Sequence, residues 1–179
     1  MLSQFASGNA KQTRTKHFLG EIYDFPDGIM PVGRLDEKSE GLLLLTTDGK
    51  LSDIINSSGI EKEYWAQLDG EIDEKALSLI QNGVEIGIFG KKYITKSCEA
   101  KKIEAPTTLP EHSKKLRIGR HRPTSWISIT LTEGKFRQVR KMTAAAGFPT
   151  LRLVRVRIGN ITLVKLKDGG VLPLDELLF

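Results

Sequence analysis

The chain has 179 residues, 39% of them hydrophobic and 27% charged, the makeup of a soluble globular protein long enough for one well-packed core. The longest apolar run, Leu42 to Leu45, is far too short to cross a membrane, and no basic start joined to an apolar stretch marks a secretory leader. A net charge of +5 favours a polyanionic partner, because lysine and arginine displace counterions from phosphate backbones.

Residues 1–30 are polar, glycine-rich and without sustained period, and read as loop or weak strand. Leu42 to Thr46 is a short buried run, expected as a strand entering a turn at Asp48-Gly49. Asp48 is expected to cap a short helix through about Ile55, with Leu51, Ile54 and Ile55 on one face. Glu63 to Asp69 carries strand-forming aromatics and stops at Gly70. Asp73 then opens an amphipathic helix that Asn82-Gly83 closes. Residues 84–105 read as short strands broken by glycines, and 112–122 as an exposed loop. Trp126 to Leu131 alternates cleanly and is a strand. After Glu133-Gly134 the period turns helical, with Val139, Met142, Thr143 and Ala146 on one side and Arg137, Arg140 and Lys141 on the other. Gly147 and Pro149 end that helix. Alternation returns from Val154 to Ile158, setting Arg155 and Arg157 on one face against Val154, Val156 and Ile158 on the other. Strands outnumber helices and short turns join them, which specifies an α+β domain with a mostly antiparallel, twisted sheet and a few flanking helices.

The basic residues cluster. His112 to Arg122 holds five formal positive charges in eleven residues without an acid, and further clusters run through 135–141 and 152–157. Such segregation suggests a basic face. No glycine-rich phosphate loop calls for a nucleotide cofactor, and no serine- or cysteine-based triad stands out. Cys98 is alone, which excludes an intrachain disulfide and fits a reducing cytoplasm. His17, His112 and His121 lack metal-ligand spacing, so neither a metal nor a cofactor is expected. What remains is a carboxylate among basic groups: Asp36, two residues after Arg34 in a glycine-flanked loop. Residue type alone does not rank Asp36 above Asp24, Asp48 or Asp69, since an aspartate in a turn is usually a turn-former.

The run Gly33-Arg-Leu-Asp-Glu-Lys-Ser-Glu-Gly-Leu-Leu-Leu-Leu-Thr46 closely resembles the signature of the rRNA pseudouridine synthases of the small-subunit/large-subunit branch. Lys62-Glu-Tyr64 is similar to that family's lysine-x-tyrosine element, and Glu133-Gly-Lys-Phe-Arg-Gln-Val-Arg-Lys-Met142 to its basic helix motif. Pro123 to Trp126 and Gly147 to Arg152 resemble its large-subunit members.

The resemblance implies a pseudouridine synthase fold and isomerisation of a specific uridine in large-subunit (23S) ribosomal RNA. Asp36 would be the catalytic carboxylate, attacking the sugar, assisting a glycal or adding to the base. Arg140 would pair with Asp36 and hold it ionised and aimed, and Tyr64 would stack on the target uracil. Arg34, Lys62, Lys114, Lys115, Arg117, Arg137, Lys141 and Arg155 are the expected RNA contacts. The implied location is cytoplasmic, with ribosomal RNA as partner, no membrane and no obligate protein partner. Relatives begin with a strand and a lysine-proline turn just before the segment matching Met1–Phe5. Residues 1–179 are therefore expected to form a single catalytic domain without that first strand and without an S4-type RNA-binding domain. The alternatives are a non-catalytic RNA-binding or ribosome-assembly protein of this fold, or the same chemistry on small-subunit rRNA or tRNA.

Overall fold

The computed structural model describes residues 1–111, 122–163 and 169–174. The amino-terminal region contains a short helix, α1 (Ala10–Thr15), and one 3-10 turn at Leu19–Glu21. Neither follows from apolar periodicity, because α1 buries no residue. It forms at Asn9, whose side chain accepts from the Lys11 and Gln12 backbone N–H groups. Three two-residue strands follow: β1 (Met30–Pro31), β2 (Glu40–Gly41) and β3 (Leu45–Thr46). The strand expected over Leu42 to Thr46 is thus largely absent. Its backbone changes partner midway: Leu42 N–H donates to Arg155 O, while Leu44 O accepts from Val32 N–H.

Helix α2 (Gly49–Ser57) starts on Asp48 as expected, although Ile54 faces solvent and Ile55 is buried. Strand β4 (Lys62–Asp69) and helix α3 (Glu74–Asn82), capped by Asp73 and closed at Gly83, match their sequence signals. Strands β5 (Glu85–Ile88) and β6 (Lys91–Ile94) form a hairpin, followed by β7 (Glu99–Ile103) and β8 (Thr124–Leu131). Helix α4 (Gln138–Ala145), β9 (Thr150–Ile158) and β10 (Ile161–Thr162) complete the described elements. The 112–121 stretch, with Lys114, Lys115 and Arg117, lies outside the described residues.

The main sheet runs β10-β9-β4-β8-β7, all antiparallel, and β2 adds to β9 in parallel. The α+β reading with a mixed, mostly antiparallel sheet therefore stands. β4 is the centre, paired with β8 over its whole length and with β9 on its other side. The main core joins Ala66, Leu68, Ile127, Ile129 and Leu153 of the sheet to Leu77 and Ile80 of α3 and Val139 and Met142 of α4. A smaller core of Val32, Leu42, Leu44, Ile55 and Ile158 sits beside α2 and carries the 30–46 segment. Among the described residues no helix is long and apolar enough to cross a membrane.

Candidate active site

Asp36 opens a turn in which Ser39 N–H donates to Asp36 O at 2.8 Å. The segment before it is tied down by Ser3, whose hydroxyl donates to Leu35 O (2.8 Å) and accepts from Leu35 N–H (3.0 Å). The segment after it is held by arginines. Arg140 donates to Lys38 O at 2.6 Å and to Thr150 O at 3.2 Å. Arg152 grips the Glu40 carboxylate with Nε (3.0 and 3.2 Å) and Nη2 (2.7 Å), and Arg155 Nε donates to Leu42 O at 2.7 Å. An irregular loop leaves its carbonyls without a ladder, and these guanidinium forks supply the missing donors. Gly41 allows the loop to lie against β9. Its φ is +102°, and a Cβ there would sit 2.2 Å from Arg155 O.

The result is a cleft lined by Arg34, Asp36, Tyr64, Glu133, Lys135 and Arg137, with Leu131, Val139 and Leu153 among its apolar wall. The three motifs, separated by up to a hundred residues in sequence, meet here: the turn carries Asp36, β4 carries Tyr64, and the start of α4 carries Arg137. Tyr64 is half-buried and packs against the main core.

The ion partner of Asp36 differs from the expected one. Arg137 Nη1 lies 3.6 Å from Asp36 Oδ2, whereas Arg140 bonds the backbone two residues further along the loop. The reason is the helix start. Arg137 is the cap residue of α4 with left-handed φ/ψ of 54°/35°, which throws its side chain out of the helical path and across the cleft. No side chain caps this end through residue 137; Gln138 Oε1 instead accepts from Lys135 N–H. A bulky residue held left-handed is strained, and such strain collects at functional sites. Arg140 still feels the carboxylate. Burial and the Arg137 charge lower its pKa, while Asp36 and Glu40 oppose that shift. Its Nε is buried without a hydrogen-bond partner among the described residues.

Two expected RNA contacts are withdrawn into the protein. Lys62 is 9% exposed and donates to Ile60 O, and burial together with Arg155 lowers its pKa. Arg155 is 3% exposed in β9, where β2 pairs alongside and its Nε is engaged with Leu42 O. Arg34 is exposed at the cleft, and Lys141 lies with Nζ 4.9 Å from the Phe136 ring centroid. Sequence reading also missed Glu133. Burial raises its pKa, but bonds from Tyr93 Oη, Lys96 N–H and Gln138 Nε2 outweigh that and leave it lowered, a fixed anion in the cleft wall. Ser3, Arg152 and Glu40 carried no signal of periodicity or spacing. Among the described residues no group of three or more His, Cys, Asp or Glu could hold a metal.

The family model described as RNA pseudouridylate synthase matches residues 1–145. The chain is 41% identical over 170 residues to the ribosomal large subunit pseudouridine synthase E of Vibrio parahaemolyticus, covering 94% of this chain and 67% of that one. It is 37% identical over 171 residues to the protein of the same name from Xanthomonas campestris, covering 94% and 87%. Among solved structures it is similar to a pseudouridylate synthase crystal structure, with a TM-score of 0.70 and 28% identity, spanning 88% of this chain and 61% of that one.

Proposed function

The chain belongs to the RNA pseudouridylate synthase family, and we propose that it isomerises a uridine of large-subunit ribosomal RNA to pseudouridine in the cytoplasm. The observation that carries this reading is the convergence of Asp36, Arg137 and Tyr64 in one cleft, bounded by cations at Arg34 and Lys135. The reaction breaks the N1–C1′ bond, turns the uracil and joins C5 to C1′. The hydrogen on C5 leaves as a proton and N1 gains one, so the base is isomerised without redox or energy input. The uridine must leave its stack to expose C1′, a cost of a few kcal/mol that contacts to the backbone offset.

Each residue suits a part of this. Asp36, beside a guanidinium, is a carboxylate available to the sugar or base. Tyr64 presents a ring against which uracil can lie, with a hydroxyl in reach of proton transfer. Arg34 is exposed at the mouth, where a phosphate or the gap left by the flipped nucleotide would lie. Arg140 acts through the loop: it fixes Lys38 O and so positions the turn that Asp36 begins.

The test is tritium release from 5-tritiated uridine in large-subunit rRNA transcripts. Asp36→Asn should abolish release and leave RNA binding intact. Equal release by the variant and the wild type would remove Asp36 from the chemistry.

A further inference from the structure

The β5–β6 hairpin turns in two residues, Phe89 and Gly90, with φ of +48° and +78°. Both positive values define the hairpin turn that favours Asn-Gly, because only residues tolerating left-handed backbone fit it without strain. A phenylalanine is therefore poorly suited to this position. Packing does not explain it either, since Phe89 is 83% exposed. Its ring stacks on Phe136, with centroids 5.4 Å apart and planes 21° from parallel, and Phe136 is itself 52% exposed. Phe136 stands between Lys135 and Arg137, both of which line the cleft.

One cation lies over this pair and others flank it in the chain. Lys141 Nζ lies 4.9 Å from the Phe136 centroid, Lys135 Nζ lies 5.1 Å from that of Tyr93, and Lys91 is exposed beside the turn. Lys92 is paired with Glu85. Flat aromatic rings interleaved with lysines form the kind of surface on which unpaired bases stack while their phosphates are neutralised. An apolar protein surface would use the rings but not the lysines, so the combination favours a nucleic acid.

We propose that the Phe89–Phe136 pair is a stacking platform for an unpaired nucleobase of the RNA, adjacent to the uridine that enters the cleft. This rests on the isomerase reading for the identity of the RNA, but not for the stacking itself. The hairpin holds Phe89 in a strained turn at the rim, and the base occupies its open ring surface.

The experiment uses a short single-stranded RNA carrying 2-aminopurine beside its uridine. Wild-type protein should quench the 2-aminopurine on binding. Phe89→Asn restores the preferred Asn-Gly turn, so its melting temperature should be equal or higher, while quenching is lost and affinity falls about 5- to 150-fold, the span for one stacked base. Phe89→Trp should keep both. Phe136→Leu, which retains volume without a π-face, should lose quenching as well. Unchanged quenching and affinity in Phe89→Asn and Phe136→Leu would overturn the platform. Tritium release by the wild type is measured in parallel. Its absence would sink the isomerase reading and leave the quenching result to judge the platform alone.

Discussion

Replacing Arg137 and Arg140 one at a time separates two roles that the sequence merges. At 3.6 Å, the Arg137–Asp36 attraction is about 1 kcal/mol at the permittivity of water and about 4–5 kcal/mol at an effective permittivity near 20. Arg137 is 38% exposed in the free protein, so screening keeps the pair near the lower figure there. RNA seated over the cleft excludes water and moves it towards the higher one. Arg137→Ala should therefore leave the melting temperature nearly unchanged yet lower the single-turnover rate on large-subunit transcripts, by about tenfold at least. Arg140→Ala removes the donor to Lys38 O, which is exposed, and to Thr150 O, which is partly buried and loses that partner. Its stability loss is about 1–3 kcal/mol, or several degrees at about 2–4 °C per kcal/mol. Stopped-flow or quench-flow turnover beside thermal melts reads both effects. A wild-type rate in Arg137→Ala, with Arg140→Ala inactive and fully stable, would refute the assignment and return the Asp36 partner to Arg140.

Gly41→Ala places a Cβ 2.2 Å from Arg155 O at a φ of +102°, so a loss of about 3 kcal/mol or more is expected, and a melt within about 2 °C of wild type would contradict the close approach. Glu133 has a pKa held below its ordinary 4.5 in the fold, so its contribution to stability is complete above that value and is lost as the pH falls through the lower, folded one. Melting temperature should accordingly drop on acidification below about pH 4.5, and Glu133→Gln should flatten that part of the curve; an unaltered profile would show that the Tyr93–Glu133–Gln138 network is not what titrates.

The sequence made the scaffold legible where one physical signal dominated. β4 has strand-forming aromatics and a glycine stop, β8 a clean alternation and α3 an amphipathic pattern with a cap, and each forms within a residue or two of its expected bounds. The 30–46 segment was harder because its order comes from distant partners. Leu42 bonds Arg155 and Leu44 bonds Val32, so four consecutive leucines do not make a continuous strand. Asp36 and Tyr64 were recoverable only from their motif context, since turn aspartates and strand tyrosines are commonplace. The Arg137–Asp36 pair was not legible: helical periodicity placed Arg137 and Arg140 on one face, and nothing in it revealed the left-handed backbone that separates them.

The arginines of β9 show how composition misleads about function. Alternation sets Arg155 and Arg157 on one face of the strand, and their basic cluster suggests a phosphate contact. In the fold Arg152 holds Glu40, Arg155 holds Leu42 O, and Arg157 lies between Glu61 and Glu63. Arg140 and Lys62 are likewise engaged with backbone carbonyls. A guanidinium already bonded to the protein releases few counterions when RNA arrives, so these charges add little to the salt dependence of binding. Among the described residues, cations at the rim include Arg34 and Lys135 at the cleft, Lys141 over Phe136 and Lys91 at the hairpin, and that dependence is expected to fall to these. The basic excess is thus divided. One part builds the loop that aims Asp36, and the other surrounds the cleft and the aromatic pair where a polyanion would approach.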